Sequence, residues 1–128
     1  MALSMLVQLM PNDLKLTDLE MAVLVEMINK CPTDREVFLQ QLRNCQVVSR
    51  ENTGCGFYTT LKVDSHVLPS ESKERQLVQG AHVSCPELEH GAGFILYIQD
   101  GYLHMLEGYT FVDDQWPENV SSFKVFFV

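Results

Sequence analysis

Basic side chains are scarce in this sequence, above all in its second half. Lys and Arg number nine against seventeen Asp and Glu, and none of the nine lies between Gln76 and Phe123. The formal net charge is −8, of which −6 falls in residues 65–128. Because proteins bind nucleic acids and anionic membranes through Lys and Arg that meet phosphate, this shortage argues against both kinds of partner.

Long apolar runs and paired cysteine motifs are also missing. No stretch reaches the roughly 18–20 apolar residues that a membrane-spanning helix needs. The start, MALSMLVQLM, lacks the basic region and the small-residue cleavage site of a signal peptide. We therefore expect a cytoplasmic protein in which residues 1–15 form an edge strand or a disordered lead-in. No Cys-x-x-Cys occurs, so free thiols in a reducing cytosol are favoured over a zinc site or disulfides.

Two helix-start patterns follow one another near the N-terminus. The residues TDLE at 17–20 form a capping box, and apolar residues at helical spacing predict a helix up to about Lys30. The residues TDRE at 33–36 match a second capping box and predict a shorter helix through about Asn44. Because the connection between them is so short, the two helices should form a helical hairpin.

After Cys45 the apolar period changes from 3.6 to 2, which predicts strands. Besides the central hairpin, the pattern predicts strands at 45–50, 56–63, 76–85 and 122–128, with a short acidic link at 85–90. Helices first and strands afterwards, without βαβ alternation, are typical of an α+β fold. We therefore predict one domain over residues 1–128, with an N-terminal helical hairpin packed on an antiparallel sheet of about five or six strands.

The strongest hairpin signal lies in residues 91–109. Asp100-Gly101 between two apolar runs is typical of a two-residue type I′ turn. With this turn as the loop, Glu107 would face Phe94 and share its face, where an unpaired carboxylate is costly to bury. The buried face would also carry Leu96, Ile98, Leu103 and Met105. The opposite face would carry Ile95, Tyr97, Gln99, Tyr102, His104 and Leu106.

Several short motifs after Cys45 resemble those of a set of small bacterial proteins of unknown function. They are VSRE at 48–51, TG at 53–54, GF at 56–57, GAGF at 91–94, DG at 100–101, LEGYT at 106–110 and WP at 116–117. The resemblance covers most of the chain beyond Cys45 and implies a bacterial cytosolic protein. It brings no known activity and no site residue.

The candidate partner-binding residues are acidic and aromatic side chains of the second half. They are Tyr102, His104, Glu107, Asp113, Asp114, Trp116 and Glu118. Exposed Tyr and Trp beside carboxylates are typical of protein interfaces, and a segment of one charge sign speeds the encounter with an oppositely charged surface. The leading hypothesis is an acidic protein-binding module, such as an immunity protein or inhibitor, that occludes a basic partner. Core packing of the aromatic rings and simple solubility are the alternatives.

Two other functions stay open. A pocket around Glu107 would indicate a small-ligand-binding protein. The residues GCG at 54–56 could expose the thiol of Cys55, and a contact with one of the four histidines would indicate a cysteine-dependent enzyme. No linked set of catalytic groups, metal-ligand spacing or cofactor motif can be named, so we expect no cofactor or metal and favour a binding protein over an enzyme.

Overall fold

The structure is a computed structural model and describes residues 14–75, 80–112 and 114–128. In these residues two helices are followed by six strands. The helices are α1 (Asp18–Asn29) and α2 (Arg35–Arg43). The strands are β1 (Cys45–Asn52), β2 (Gly56–Val63), β3 (Ala81–Cys85), β4 (Leu88–Gln99), β5 (Tyr102–Thr110) and β6 (Lys124–Phe127). All pairs are antiparallel, in the order β1-β2-β5-β4-β3-β6. The predicted α+β fold is confirmed.

The strand boundaries differ from the predicted ones in places. The predicted link at 85–90 is only the turn Pro86-Glu87, because Leu88 already pairs with Cys85 and begins β4. Of the predicted strand at 76–85, β3 covers Ala81 onward, and residues 76–79 lie outside the described ranges, as do residues 1–13. No helix of the described residues is long and apolar enough to cross a membrane.

The two helices begin in different ways. In α1 the predicted capping box is present, because Glu20 N–H donates to Thr17 Oγ1 at 3.1 Å and Thr17 N–H donates to Glu20 Oε1 at 2.8 Å. The second predicted box is wrong. The N-cap of α2 is Asp34, which has a left-handed backbone with φ 59° and makes no side-chain cap. Its carboxylate instead accepts a hydrogen bond from Ser70 Oγ at 2.5 Å.

Both helices pack on one face of the sheet and bury the core there. Its largest fully buried apolar side chains are Leu24, Met27, Ile28, Phe38, Phe94, Leu96, Leu103 and Leu106. We call the opposite side of the sheet the open face. Its central residues, placed by the strand pairing, are Glu51, Tyr58, Ile95, Tyr97, Met105, Glu107 and Tyr109.

The central hairpin has the predicted turn. Asp100 and Gly101 both have positive φ, at 54° and 84°. Such a pair of values is what the type I′ turn requires. Ile98 pairs with Leu103, as predicted. The turn also contacts the loop after β2, because Ser70 N–H donates to the Gly101 carbonyl at 2.8 Å.

Beyond the turn, a β-bulge changes the predicted register. Tyr97 pairs with Met105 instead of His104, and Glu107 consequently pairs with Ile95. Because side chains alternate along a strand, a shift of one residue moves every later side chain to the other face. The predicted faces of Glu107, Met105 and Leu106 are therefore wrong. Leu106 is fully buried in the core, while Glu107 and Met105 lie half-buried on the open face.

A buried amide fixes α2 to the hairpin. Gln41 is fully buried, and its Nε2 donates to the carbonyls of Gly101 at 2.9 Å and Leu68 at 3.2 Å. Its Oε1 accepts from Leu103 N–H at 2.9 Å. Because a buried amide is costly unless its donors and acceptor are satisfied, these three bonds set one position for α2 over the turn.

Candidate functional site

Glu107 lies in the middle of the open face, in a row of side chains that crosses four strands. The pairing places Glu51, Tyr58, Glu107 and Ile95 side by side on β1, β2, β5 and β4. Since neighbouring strands are about 4.8 Å apart, the backbones that carry the two carboxylates are roughly 10 Å apart, with Tyr58 between them. The row therefore contains two anionic groups and no cationic one.

Tyrosine hydroxyls surround the Glu107 carboxylate. Tyr97 donates to Glu107 Oε1 at 2.8 Å. That hydrogen bond, followed by burial and the negative charge of Glu107, raises the pKa of Tyr97 to about 12. The charge of Glu107 is also the main reason why the pKa of Tyr58 is raised. At neutral pH both hydroxyls are thus protonated donors, which can orient the carboxylate without cancelling its charge.

The described residues supply no Lys or Arg partner for Glu107. Their ion pairs within 4.0 Å join Arg50 to Glu20 and His90 to Glu89. Lys62 lies on the open face of β2, but four residues along the strand from Tyr58, which is about 13 Å. The carboxylate is half-exposed and can therefore accept a cation from another molecule.

An apolar surface lies beside the Glu107 row. We call it the aromatic stripe, formed by Tyr109, Phe111, His82 and Phe126. Ring centroids are 5.7 Å apart for Tyr109 and Phe111, 4.8 Å for Phe111 and His82, and 5.6 Å for His82 and Phe126. Phe111 is 43% and Phe126 39% exposed, so these rings present apolar area to solvent. Exposed rings grouped in this way are typical of interaction surfaces.

A glycine makes room for the first ring of the stripe. Tyr109 pairs with Gly93 of β4, and a Cβ on Gly93 would lie only 2.6 Å from the Cζ and hydroxyl oxygen of Tyr109. The phenol ring therefore lies directly against the β4 backbone. A larger residue at position 93 would have to displace the ring, so this glycine fixes where the stripe begins.

The structure separates the other predicted site residues that it describes from Glu107. Tyr102 donates its hydroxyl to the Val67 carbonyl at 2.9 Å and so holds the loop after β2. Trp116 packs edge-to-face on Phe57, with centroids 4.9 Å apart, and closes one end of the core on the helix-covered side. Its contact with the core makes it a packing residue in this arrangement.

The remaining predicted residues lie in loops or at the bulge. The Asp114 carbonyl accepts from Thr110 Oγ1 at 2.8 Å, and Glu118 is exposed in the loop before β6. Asp113 lies outside the described residues. His104 is the bulged residue of β5 and lines a groove with Tyr97 and residues 70–75. Of the six predicted residues that the structure describes, only Glu107 lies at the centre of the open face.

That groove has a volume of about 990 Å³, and Glu107 does not line it. Glu107 also lines none of the other main cavities of the described residues, and a small-ligand pocket around it stays a prediction. Cys55 is exposed in the turn between β1 and β2, and none of the described hydrogen bonds joins it to a histidine. The described residues also contain no group of three His, Cys, Asp or Glu that could hold a metal ion.

Sequence reasoning missed Glu51 and Tyr58 as neighbours of Glu107. The alternation of β2 does place Tyr58 on its wetter face, and this was the available signal. What the sequence lacks is the strand order: β2 pairs with β5, although β3 and β4 lie between them in the chain. This long-range pairing brings Tyr58 beside Glu107.

Comparison with protein-family models, with curated proteins and with solved structures found no match for this chain. The resemblance to small bacterial proteins accordingly stays a prediction, and the function must be argued from the geometry of the open face.

Proposed function

We propose that this protein is a protein-binding module that holds a basic surface or segment of a partner on its open face, and occludes it as an inhibitor or immunity protein would. One observation carries the proposal. The half-exposed Glu107 carboxylate is oriented by a neutral Tyr97 hydroxyl, shares its row with Glu51, and has no Lys or Arg partner among the described residues.

A cation placed over this row gains from two kinds of contact. It lies over an aromatic ring, Tyr58, and close to the carboxylates on either side. Hydrogen bonds between ionised partners are about twice as strong as neutral ones, and they favour charged over neutral ligands. The aromatic stripe adds apolar area next to the charge, which is the composition of a binding hot spot.

The charge of the whole chain favours the same kind of partner. A net charge of −8, with no Lys or Arg between Gln76 and Phe123, attracts a basic protein over a distance and raises its association rate. All four cysteines are free, which supports a reducing compartment such as the bacterial cytosol as the place of binding.

The test compares variants with the same loss of charge. Immobilised wild-type protein, E107Q and E26Q are used to capture partners from bacterial extract, and the affinity of a recovered partner is then measured with purified proteins. Glu26 is exposed on α1, on the helix layer, and serves as the matched control. We expect E107Q to weaken binding about tenfold or more at low salt, and E26Q to bind like the wild type.

The salt dependence provides the second readout. The loss caused by E107Q should shrink as salt rises, because ions screen the exposed charge. Wild-type affinity in E107Q, or equal losses in E107Q and E26Q, would refute an interface at the open face.

A further inference from the structure

We infer that the cation taken by the open face is an arginine guanidinium, stacked on Tyr58 between Glu51 and Glu107, and that the same partner places an apolar side chain on the aromatic stripe. This inference rests on the proposed function and names the chemistry of the partner.

The two carboxylates are spaced for a cation that can reach both of them. Glu51 and Glu107 lie two strands apart, on either side of Tyr58. A lysine ammonium is a compact, strongly hydrated charge that sits against one carboxylate. A guanidinium carries five donors on a rigid planar fork, so that opposite edges of the same group can donate to carboxylates on its two sides.

The surface beneath the cation is an aromatic side chain. Tyr58 is neutral near pH 7, as an ordinary tyrosine is, and the charge of Glu107 raises its pKa further; its side chain lies at the centre of the row. Guanidinium groups stack on aromatic faces and lose less hydration on doing so than an ammonium does. A tyrosine with a carboxylate on each side therefore fits arginine better than lysine.

Glu107 can accept further hydrogen bonds besides the one from Tyr97. The Tyr97 hydroxyl binds Oε1, whereas an ionised carboxylate offers about four lone-pair sites on its two oxygens. The neighbouring Tyr58 hydroxyl also interacts with this carboxylate, and the two phenols together leave acceptor sites for a donor from outside. The chain shows the same chemistry once on its other face, where Arg50 donates from Nε and Nη2 to the two oxygens of Glu20 at 3.0 and 2.6 Å.

The position of the apolar contact follows from β5. Tyr109 is two residues beyond Glu107 on the same face of the strand, which is about 7 Å. Phe111, His82 and Phe126 continue the stripe from there. In an extended segment of the partner, residues i and i+2 are also about 7 Å apart and point to one side, so an Arg-x-apolar sequence matches both contacts.

The experiment uses defined peptides instead of an unknown partner. The isotopically labelled full chain is titrated by NMR with acetyl-Arg-Gly-Phe-amide. Three further peptides replace the arginine by lysine, the arginine by citrulline, or the phenylalanine by glycine. Citrulline keeps the shape of arginine without its charge.

We expect saturable shifts of Tyr58, Tyr97 and Glu107 resonances with the arginine peptide. Affinity should fall several-fold with lysine and about tenfold or more with citrulline, because the charged hydrogen bonds and the cation–π contact are lost. Replacing phenylalanine should remove the shifts of the stripe residues. E51Q and E107Q should each weaken binding several-fold, while E26Q should bind as the wild type does. Amide spectra of each variant verify the fold.

The outcomes separate the inference from the proposed function. Equal affinity for the lysine and arginine peptides, or no effect of E51Q, overturns the bridged guanidinium. An undetectable shift with the arginine peptide at millimolar concentration does so too. In each of these cases the proposed function stands if a captured partner still depends on Glu107, and it fails if that dependence is absent as well.

Discussion

Two glutamates lie on opposite sides of the same strand pair and differ in the hydrogen-bond partners that the chain provides for them. Glu20 of α1 lies on the helix-covered side, where its Oε2 accepts from Thr59 Oγ1 of β2 at 2.5 Å. Thr59 pairs with Leu106 of β5, and the next residue, Glu107, projects from the open side. Glu20 is 2% exposed and Glu107 is half-buried.

The difference lies in the donors that each carboxylate receives. Glu20 accepts four hydrogen bonds, from Thr17 N–H, from Thr59 and from two nitrogens of Arg50. The donors to Glu107 are neutral phenols, Tyr97 and the neighbouring Tyr58. A buried charge without a partner would cost several kcal/mol, so the chain provides a guanidinium for Glu20. A carboxylate at the surface needs no such partner, because water donates hydrogen bonds to it. An oriented carboxylate that is only half-buried and has no cationic partner among the described residues is therefore available to another molecule.

The largest effect should come from breaking the pair on the buried side. R50M leaves the Glu20 carboxylate buried with only two neutral donors and should lower the free energy of unfolding by about 3 kcal/mol. E107Q should change it by no more than about 0.5 kcal/mol, as is usual for surface changes. Urea unfolding of the three proteins, with constant m-values, measures both differences.

The double variant E20M/R50M tests the cause of that loss. If the loss in R50M comes from an unpaired buried charge, replacing both partners by apolar residues should recover part of it, although the capping bond of Glu20 is lost too. A loss in E107Q as large as that in R50M would mean that Glu107 is a structural carboxylate, and the contrast between the two faces would disappear.

The environment of Glu20 on the buried side could largely be predicted from the sequence. The capping box identified Glu20 as the third residue of α1, and the alternation in 56–63 identified the buried face of β2. Local rules sufficed because caps and alternation depend on neighbours within a few residues. The partner of Glu20 is Arg50, 30 residues away, and no local pattern indicates it.

The open side could not be read in the same way. The face of Glu107 depends on a single bulge at His104, which local alternation does not reveal. The bulge allows both Leu103 and Leu106 to be buried in the core, although they are three positions apart on the strand. Burial of these two leucines thus fixes the strand register, and this register places Glu107 on the open face.

A smaller effect should appear at high pH. The pKa of Tyr97 is raised to about 12 in the folded protein, against 10.0 for an unperturbed tyrosine. Between these values the unfolded chain loses this proton before the folded one does, so the stability that Tyr97 contributes is present below pH 10 and falls as pH rises toward 12. Y97F should remove this part of the pH dependence.

Urea unfolding of wild type and Y97F at several pH values gives the free energy of unfolding as a function of pH. Because the two proteins share all other titrating groups, the difference between the two curves isolates the contribution of Tyr97. Ultraviolet titration of the phenols should show one late-titrating tyrosine fewer in Y97F. In E107Q that tyrosine should titrate earlier, because the charge and the charged acceptor that raise its pKa are gone. An unchanged late titration in E107Q would mean that Glu107 and Tyr97 are not coupled in solution.

The smallest effect should come from the acidic loop after β5. D114N/E118Q removes the same two charges as E51Q/E107Q, but from residues that the structure places outside the open face. Distant charges act only through the summed field, so we expect the loop variant to slow association with a captured basic partner by no more than about threefold at low salt, without changing the dissociation rate. The open-face variant should raise the dissociation rate, because it removes groups in direct contact with the partner.

Surface plasmon resonance at two salt concentrations resolves both rates. A loop variant with the faster dissociation of the two would move the interface to the loop beside Trp116, and Glu107 would then be only a well-oriented surface carboxylate.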